Sequence, residues 1–359
     1  MFILCRSSSK ISILIIISLI LISLHGSTVF FDYAIASEDH FAIVDKENFI
    51  FVDQANTGGP WIGSEDNPLL KISDALRIAQ PFDTVYINQG VYNETLTLRI
   101  PIRLVGLDHP VIDEKYSDKI VSIKSSDVHI ENLRIIHSNG EKNDAGLFIN
   151  HVSNISIVNC IIHHTKSAIY INDSSEVLIE NSSIFHSGNA IRIDNSSIIS
   201  INSCDFARNS IVLLMETSPQ LLINKSVFTA NGMSGSITTS NDIQIYRSNI
   251  TDNSVNKGGL FFSDSMNIIV YDSLFRHNGV GISFSNVTLA RIKYCEFIKN
   301  THFAISFRKA SYQIIVSNST IDKNIRNGVY IESGNNCVIT NSSITNNALY
   351  AITGAASSM

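Results

Sequence analysis

The sequence predicts an all-β fold, a parallel β-helix solenoid of about ten regular coils with a capping helix near its N-terminus. Three observations predict it: a repeat of nearly constant length, alternating inward and outward residues such as Ile191-Arg192-Ile193, and polar turns between the strands. Each repeat carries an Ile or Phe anchor, and successive anchors lie 22–27 residues apart. The anchors are Ile135, Ile162, Ile184, Phe206, Phe228, Ile250, Phe275, Phe297, Ile321 and Ile344. Ten such units bury their apolar faces only by stacking on one another.

Composition and charge exclude several classes of protein. The 359 residues include 26 Lys and Arg against 32 Asp and Glu, a net charge of −6, and no basic stripe, so nucleic acid is not an expected partner. Hydrophobic residues make up 44% and charged residues only 16%, which excludes a disordered chain. Six prolines and 18 glycines exclude collagen-like fibres.

Residues 1–36 are predicted to form a signal peptide. A short basic start is followed by the apolar run 11–24, and Ala34-Ile35-Ala36 matches a small-x-small cleavage site before Ser37. An uncleaved membrane anchor is the alternative. Either way, the rest of the chain is expected outside the cytoplasm, secreted or on the cell surface, with no other membrane contact.

The remaining chain divides into three parts. Residues 37–124 are predicted to hold a cap and the first coils, because 68–79 has the pattern of a short amphipathic helix that can cover an open strand edge. Residues 125–352 carry the repeats, and 353–359 form a C-terminal stub. No comparable lid follows the last repeat. The sequence therefore predicts either a chain that stops within the solenoid or a protein partner that covers this end.

Two columns of the repeat have a predicted structural role. Two residues before each anchor stands a small residue, and three residues after the anchor seven coils carry Asn, which suits turns and stacked amide hydrogen bonds. The Asn column is Asn209, Asn231, Asn253, Asn278, Asn300, Asn324 and Asn347. The longer coils are expected to extrude loops at 139–143 and 254–257.

The cysteines predict no disulfide. Cys5 lies in the signal peptide, and the other four fall on coils that do not adjoin one another, beyond the reach of a disulfide. They are Cys160, Cys204, Cys295 and Cys337. We expect them to be small buried hydrophobic residues.

The segment before the repeats carries a family resemblance. Residues 53–61, the helix pattern, Asp83-Thr84-Val85-Tyr86-Ile87 and Gly90-Val91-Tyr92-Asn93-Glu94 resemble the N-terminal region of right-handed β-helix proteins, most closely the NosD-like, carbohydrate-binding and sugar-hydrolase group of the pectin-lyase-like superfamily. The resemblance covers about residues 50–352 and implies a right-handed coil. Its members include polysaccharide lyases, hydrolases, epimerases, a copper-enzyme accessory factor and surface proteins. The motifs typical of polygalacturonases, pectin methylesterases and alginate epimerases are missing.

The outward positions of the strand after the Asn turn give the first candidate site. One column runs Phe148, Tyr170, Arg192, Leu214, and the next runs Asn150, Asn172, Asp194, Glu216. Asp194 and Glu216 lie on consecutive coils, so their carboxylates could act as acid and nucleophile or bind Ca²⁺, assisted by Arg192 and His186. Phe148, Tyr170, Arg192 and Asn172 are the predicted carbohydrate-binding residues. The alternative is a solvated polar face.

A second candidate site lies two residues after the anchors. His137, His164 and His186 follow one another on consecutive coils and could present imidazoles to copper or zinc. The alternative is polar decoration of a turn, because the side chains of a straight column diverge.

The main functional prediction is a non-catalytic extracytoplasmic module that binds a polysaccharide or cell-surface glycan, or builds the cell surface. The first alternative is a polysaccharide lyase or glycoside hydrolase that acts on the outer face of the β-helix. The second is a NosD-like copper accessory protein.

Overall fold

The computed structural model describes residues 48–114, 119–137, 144–332 and 334–354. The predicted signal peptide and the loop at 139–143 lie outside these residues. The described part contains one helix, α1 (Ile72–Ile78). Its first nineteen strands are β1 (Phe49–Val52), β2 (Thr84–Ile87), β3 (Val91–Tyr92), β4 (Leu96–Leu98), β5 (Ile102–Gly106), β6 (Val111–Asp113), β7 (Lys119–Ile123), β8 (Val128–Glu131), β9 (Arg134–Ile136), β10 (Ala145–Asn150), β11 (Ser153–Val158), β12 (Ile161–His163), β13 (Ser167–Asn172), β14 (Ser175–Glu180), β15 (Ser183–Phe185), β16 (Asn189–Asp194), β17 (Ser197–Asn202), β18 (Asp205–Ala207) and β19 (Ile211–Glu216). The other strands are β20 (Leu221–Asn224), β21 (Val227–Thr229), β22 (Met233–Thr238), β23 (Asn241–Tyr246), β24 (Asn249–Thr251), β25 (Leu260–Ser263), β26 (Met266–Tyr271), β27 (Leu274–Arg276), β28 (Ile282–Ser285), β29 (Thr288–Lys293), β30 (Glu296–Ile298), β31 (Phe303–Arg308), β32 (Ser311–Ser317), β33 (Thr320–Asp322), β34 (Asn327–Ile331), β35 (Gly334–Asn335), β36 (Val338–Thr340), β37 (Ser343–Thr345) and β38 (Ile352–Gly354).

The strands form three parallel sheets that wrap around one core. The first sheet has 14 strands, from β1 and β2 to β35 and β36, and takes every third strand of the chain between them. The second runs from β3 to β37 and the third from β4 to β38, each with 12 strands. This is the predicted right-handed parallel β-helix. It has about twelve turns, slightly more than the ten regular coils predicted, because the chain already coils before residue 125.

The core consists of ladders of identical positions from successive coils. The predicted anchors pair strand to strand in the second sheet, as Ile184 with Phe206 and Phe275 with Phe297. The rings of Phe275 and Phe297 stack with centroids 4.8 Å apart, and both side chains are fully buried. Burial of such a column contributes about 2 kcal/mol for each large side chain. The periodic apolar residues therefore determine the strand register.

The Asn column forms the predicted internal ladder. The side-chain amide of Asn253 donates to the carbonyl oxygen of Phe228 at 2.9 Å and to Oδ1 of Asn278 at 2.9 Å, and the same pattern recurs from coil to coil. Earlier coils carry Thr165 and Ser187 at this position, whose hydroxyls lie 2.9 Å apart. The ladder thus supplies partners for backbone groups in turns that are closed to water.

The column that contains the predicted metal-binding histidines has one backbone conformation in every coil. The residue two positions after every anchor has φ between 53° and 61°, in the left-handed region. These residues are His137, His164, His186, Arg208, Ala230, Asp252, His277, Lys299, Lys323 and Asn346. The column is therefore the corner between the second and third sheets, and its side chains vary with little constraint from the core.

The N-terminal helix packs on the first turn, as predicted. Ile72 and Ala75 are buried, and the helix contacts β1, β2 and β4. It begins four residues later than the predicted start at 68, because Leu69 bridges Val52 in strand-like geometry. The carboxylate of Glu94 accepts hydrogen bonds from the backbone N–H groups of Ile72 and Ser73, both at 2.9 Å. Glu94 thus caps the helix from the next coil.

The last described turn has a different environment. Val338, Tyr350 and Ile352 are largely exposed, and among the described residues nothing packs over β36, β37 and β38. The chain continues in strand conformation to Gly354, within the predicted stub. A partner at this end stays a prediction.

The four described cysteines form no disulfide with one another. Cys160, Cys204 and Cys295 occupy the buried small-residue column, and burial raises the pKa of each thiol to about 12. These thiols are therefore protonated core residues at neutral pH. In the described part of the chain, no helix has the length and apolar character needed to cross a bilayer.

Candidate functional site

The outer face of the third sheet carries the first predicted site. Phe148, Tyr170, Arg192 and Leu214 are paired strand to strand across β10, β13, β16 and β19. Asn150, Asn172, Asp194 and Glu216 form the next column in the same register. The two predicted columns are confirmed as neighbours on one face.

Within these columns, Tyr170, Arg192 and Asp194 form a closed cluster, hereafter the Tyr170–Asp194 cluster. The Tyr170 hydroxyl donates to Oδ2 of Asp194 at 2.9 Å, and Nη2 of Arg192 lies 2.6 Å from the same oxygen. The Arg192 guanidinium also lies 4.5 Å from the Tyr170 ring centroid. Burial, together with the hydrogen bond to Asp194, raises the pKa of Tyr170 to about 12. The phenol is therefore a neutral hydrogen-bond donor to the Asp194 side chain at neutral pH.

The aromatic rings of this region are covered by their neighbours. Tyr170 is buried between Phe148, whose ring centroid is 5.2 Å away, and Arg192. The ammonium of Lys119 lies 4.2 Å from the ring centroid of Phe148. A sugar could stack on Tyr170 only after Arg192 or Phe148 had moved. The predicted carbohydrate contact at Tyr170 therefore requires a rearrangement of side chains.

The predicted acidic pair occupies two environments. Asp194 is engaged by Arg192 and Tyr170, whereas Glu216 is exposed at the end of β19 and has no ion pair among the described residues. Asn172 donates to Oδ1 of Asn150 at 2.8 Å. His186 lies on the turn before β16, where its ring packs beside that of His164. The catalytic roles of these residues stay predictions.

The histidines form a ladder that continues through a ring contact with His163. The centroids of His137 and His164 are 5.7 Å apart, and those of His164 and His186 are 5.2 Å apart. Nδ1 of His163 lies 2.6 Å from Nδ1 of His164, and Nε of Arg134 donates to Nε2 of His163 at 2.9 Å. His163 must therefore accept at Nε2 and donate at Nδ1.

This arrangement favours neutral imidazoles. Burial lowers the pKa of His163 to about 4, and the positive charge of Arg134 acts in the same direction. Burial and the neighbouring His186 also lower the pKa of His164. Over the described residues, no group of three or more His, Cys, Asp or Glu side chains is arranged to hold a metal ion. Binding of copper or zinc by His137, His164 and His186 stays a prediction.

A groove farther along the same outer face was not predicted. It has a volume of about 690 Å³ and lies over β22, β25, β28 and β31. Phe261, Ser283 and Phe303 contribute to its floor, and Arg308 and Lys257 to its sides. Phe261 is half-buried and makes no ring contact with another described aromatic residue. The ring of Phe261 is thus partly exposed toward the groove.

The wall of this groove is the extruded loop predicted at 254–257. Its Ser254 carbonyl accepts hydrogen bonds from the N–H groups of Gly258 and Gly279 at 2.8 and 2.9 Å. The hydroxyl of Thr301, two coils on, donates to the Val255 carbonyl at 2.8 Å. A Cβ at Gly279 would lie 2.7 Å from the Val255 oxygen, so glycine permits this close approach. The loop is therefore pinned to the body of the solenoid.

The sequence contained the signal for this groove. Continuing the Phe148 column by register leads to Phe261, Ser283 and Tyr330, and continuing the Asp194 column leads to Arg308. The groove could be recognised only by combining these columns with the loop in the 25-residue coil.

Comparison with known proteins identifies the family. The family described as "right handed beta helix region" matches residues 111–250, 191–324 and 236–359 in overlapping segments. The chain belongs to this family. A search of curated proteins finds no match. The family match reaches no further than the right-handed β-helix, so the pectin-lyase-like superfamily and its NosD-like subtype stay predictions.

Several solved structures share the fold. The catalytic unit of an α-1,3-glucanase from Streptomyces thermodiastaticus is 12% identical, with a TM-score of 0.67 over 78% of this chain and 60% of that unit. The surface adhesin PfbA of Streptococcus pneumoniae is 14% identical, with a TM-score of 0.64 over 79% of this chain and 86% of the adhesin. The A-module of the Azotobacter vinelandii mannuronan C-5 epimerase AlgE6 is 16% identical, with a TM-score of 0.55 over 79% of this chain and 93% of the module. This chain thus spans less than two thirds of the glucanase unit, and these similarities show the fold alone.

Proposed function

We propose that the protein is an extracytoplasmic module that binds polysaccharide on the outer face of its third sheet. The observation that carries this proposal is the groove over β22, β25, β28 and β31, in which Phe261 meets serine hydroxyls and charged side chains. A concave site with an aromatic surface and a few polar groups is typical of ligand-binding clefts. This combination suits a carbohydrate, because a pyranose has apolar C–H faces that stack on aromatic rings and a polar edge of hydroxyl groups that form hydrogen bonds.

The structural neighbours support a role in polysaccharide or surface recognition. They include a glucanase, a mannuronan epimerase and a surface adhesin, which share the coil architecture although their activities differ. A binding role requires only an accessible concave surface, and the groove over β22, β25, β28 and β31 is such a surface. A hydrolase of the usual kind needs two carboxyl groups on either side of the scissile bond. Glu332 is the one carboxylate that lines the groove among the described residues.

The test is affinity electrophoresis of the protein through gels that contain neutral or acidic polysaccharides. We expect at least one polysaccharide to retard the protein. We expect Phe261→Ala to lower the apparent affinity for that polysaccharide about tenfold or more. The matched control is Tyr312→Ala, since Tyr312 is an exposed aromatic residue of β32 on the first sheet. Equal retardation of the Phe261 variant and the unmodified protein, or no retardation in any gel, would reject the proposal.

Export is a separate part of the proposal, because residues 1–36 lie outside the described chain. Expression of the full chain in a bacterial host, followed by cell fractionation, tests it directly. Recovery outside the cytoplasm, with a new N-terminus at Ser37 or with the anchor retained, is the expected result. Recovery in the cytoplasm alone would contradict it.

A further inference from the structure

We infer that the groove over β22, β25, β28 and β31 binds an acidic glycan, with Arg308 and Lys257 contacting carboxylate or sulfate groups on the sugar. This inference rests on the proposed function and adds the chemical class of the ligand. It is carried by the distribution of charge around the groove, by the fixed position of its wall, and by the polar floor between them.

The charges around the groove are predominantly positive. Lys257, Arg308 and Lys309 line it, against the single carboxylate of Glu332. Arg308 and Lys257 are exposed, and neither forms an ion pair with another described residue. The whole chain has a net charge of −6, so the positive charge of the groove does not follow from a generally basic surface. The groove is therefore lined by an excess of cationic side chains, opposite in sign to the net charge of the chain.

The position of Arg308 favours selective recognition of an anionic group as well as electrostatic attraction to it. Its guanidinium lies 6.0 Å from the Phe303 ring centroid, and the Phe303 ring stacks on Tyr330 with centroids 4.7 Å apart. A planar guanidinium can bind both oxygens of a carboxylate, or two of a sulfate, through parallel hydrogen bonds. Arg308 thus lies beside a fixed aromatic pair, which limits the positions it can adopt.

The opposite side of the groove is also fixed. Lys257 belongs to the loop that two later coils hold through the carbonyl groups of Ser254 and Val255, so the loop that carries Lys257 is tied to the solenoid. Between the two cations, Ser306 donates to the Ser283 hydroxyl at 2.8 Å. Ser306 is fully buried, so Ser283 is the member of this pair that lines the groove, and a sugar ring there would lie between Lys257 and Arg308. Recognition of an anionic residue therefore needs little reorganisation of the backbone.

The experiment measures binding of the full chain to three probes by affinity electrophoresis. Polygalacturonate presents carboxylates, its fully methyl-esterified form has the same backbone without the charge, and dextran sulfate presents sulfates. We expect polygalacturonate or dextran sulfate to bind at least tenfold more tightly than the methyl ester, and binding to weaken as salt is raised. Preference for one of the two anionic probes identifies which acidic group is recognised.

Three variants assign the effect to the groove. Arg308→Gln and Lys257→Gln each remove one groove cation, and we expect each to weaken binding of the preferred anionic probe about tenfold. Arg291→Gln removes an exposed cation from β29, on the outer face of the first sheet, and should leave binding unchanged. Circular dichroism and thermal melting of all variants show whether the fold is retained.

The outcomes separate this inference from the proposed function. Equal binding of polygalacturonate and its methyl ester, with loss of both in Phe261→Ala, would retain the glycan-binding function and overturn the acidic-glycan inference. An equal loss in Arg291→Gln and Arg308→Gln would also overturn it, because attraction would then be non-specific. No binding of any probe, in a panel that includes neutral polysaccharides, would reject both.

Discussion

Two regions of the same sheet face use similar residues in opposite ways. In the Tyr170–Asp194 cluster, the guanidinium of Arg192 pairs with the carboxylate of Asp194 and lies over the ring of Tyr170, whose hydroxyl donates to the same carboxylate. In the groove, Phe261 and Arg308 lie on a common face with β28 between their strands, and Arg308 has no acidic partner in the described chain. The spacing along the solenoid therefore decides whether such residues stabilise the fold or remain accessible to a ligand.

The difference also has a backbone component. The coils of the cluster carry Thr165 and Ser187 in the internal turn column, whereas the coils of the groove carry Asn253, Asn278 and Asn300. The Asn amides bridge three coils, as the amide of Asn253 does by reaching the Phe228 carbonyl of the preceding coil and the Asn278 amide of the following coil. The open groove thus lies on the more extensively hydrogen-bonded part of the solenoid.

The largest predicted effect comes from removing one amide of this ladder. Asn253→Ala leaves the Phe228 carbonyl without its donor and removes the acceptor of Asn231, so we expect a loss of about 3 kcal/mol in unfolding free energy. Ser187→Ala should cost about 1 kcal/mol, because its hydroxyl makes one short contact, with Thr165. Urea unfolding measures both. Equal losses would mean that the two ladders are energetically equivalent.

The next effect distinguishes the two carboxylates of the predicted acidic pair. Asp194→Ala removes the partner of both Arg192 and Tyr170, and we expect a loss of about 2 kcal/mol in unfolding free energy. Glu216→Ala is the matched control and should change stability by less than about 0.5 kcal/mol, since Glu216 is exposed. If the Asp194 variant is as stable as the protein itself, the cluster does not stabilise the fold. Polysaccharide cleavage assays on the same two variants test the predicted catalytic roles.

A third, smaller effect depends on pH and on the coils of the cluster alone. The folded pKa of His163 is about 4, below the unfolded value of about 6.5, so the unfolded state takes up the proton first as pH falls. The contribution of neutral His163 is therefore complete above about pH 6.5 and declines toward pH 4. Hydrogen-exchange protection of amides in β12 and β15 should fall between pH 7 and 5, while that in β27 and β30 should not.

The control for this pH effect is His163→Gln, which can still accept from Arg134 but does not titrate. We expect its protection in β12 and β15 to be independent of pH over the same range. A pH-dependent loss that persists in this variant would assign the effect to another group, such as His164, whose pKa is also lowered.

The smallest effect on stability is expected in the groove. Arg308→Gln and Lys257→Gln should change unfolding free energy by less than about 0.5 kcal/mol, because both side chains are exposed and unpaired within the described chain. Thermal melting checks this. A loss comparable to that of Asp194→Ala would show that the groove, like the cluster, is primarily structural.

The repeat made much of the fold predictable. Anchors, small residues and Asn residues recur at fixed offsets, so the strand register, the buried ladders and the paired columns of Phe148 and Asn150 followed from the sequence. The number of turns, about twelve, exceeds the ten regular coils because the first coils, predicted within residues 37–124, lack the regular phrase. The helix start was placed too early because the sequence did not indicate that Leu69 bridges β1.

The site was less predictable, for reasons of side-chain geometry. Register places Tyr170 and Asp194 on adjacent strands, but whether the phenol reaches the carboxylate depends on rotamers that no column encodes. The groove depends on how a loop outside the repeat folds back on Gly279 and Thr301. Such contacts join residues of different coils, and no periodic pattern marks them.

The pinned loop at 254–257 has a consequence for how a polymer would move on this surface. A perfect solenoid presents the same face about every 4.8 Å, so a chain-like ligand could shift by one coil with little change in energy. The loop interrupts that translation at one place and leaves one side of it unlike the other. A polysaccharide bound there would have a defined starting position and direction, because this loop would prevent it from sliding past.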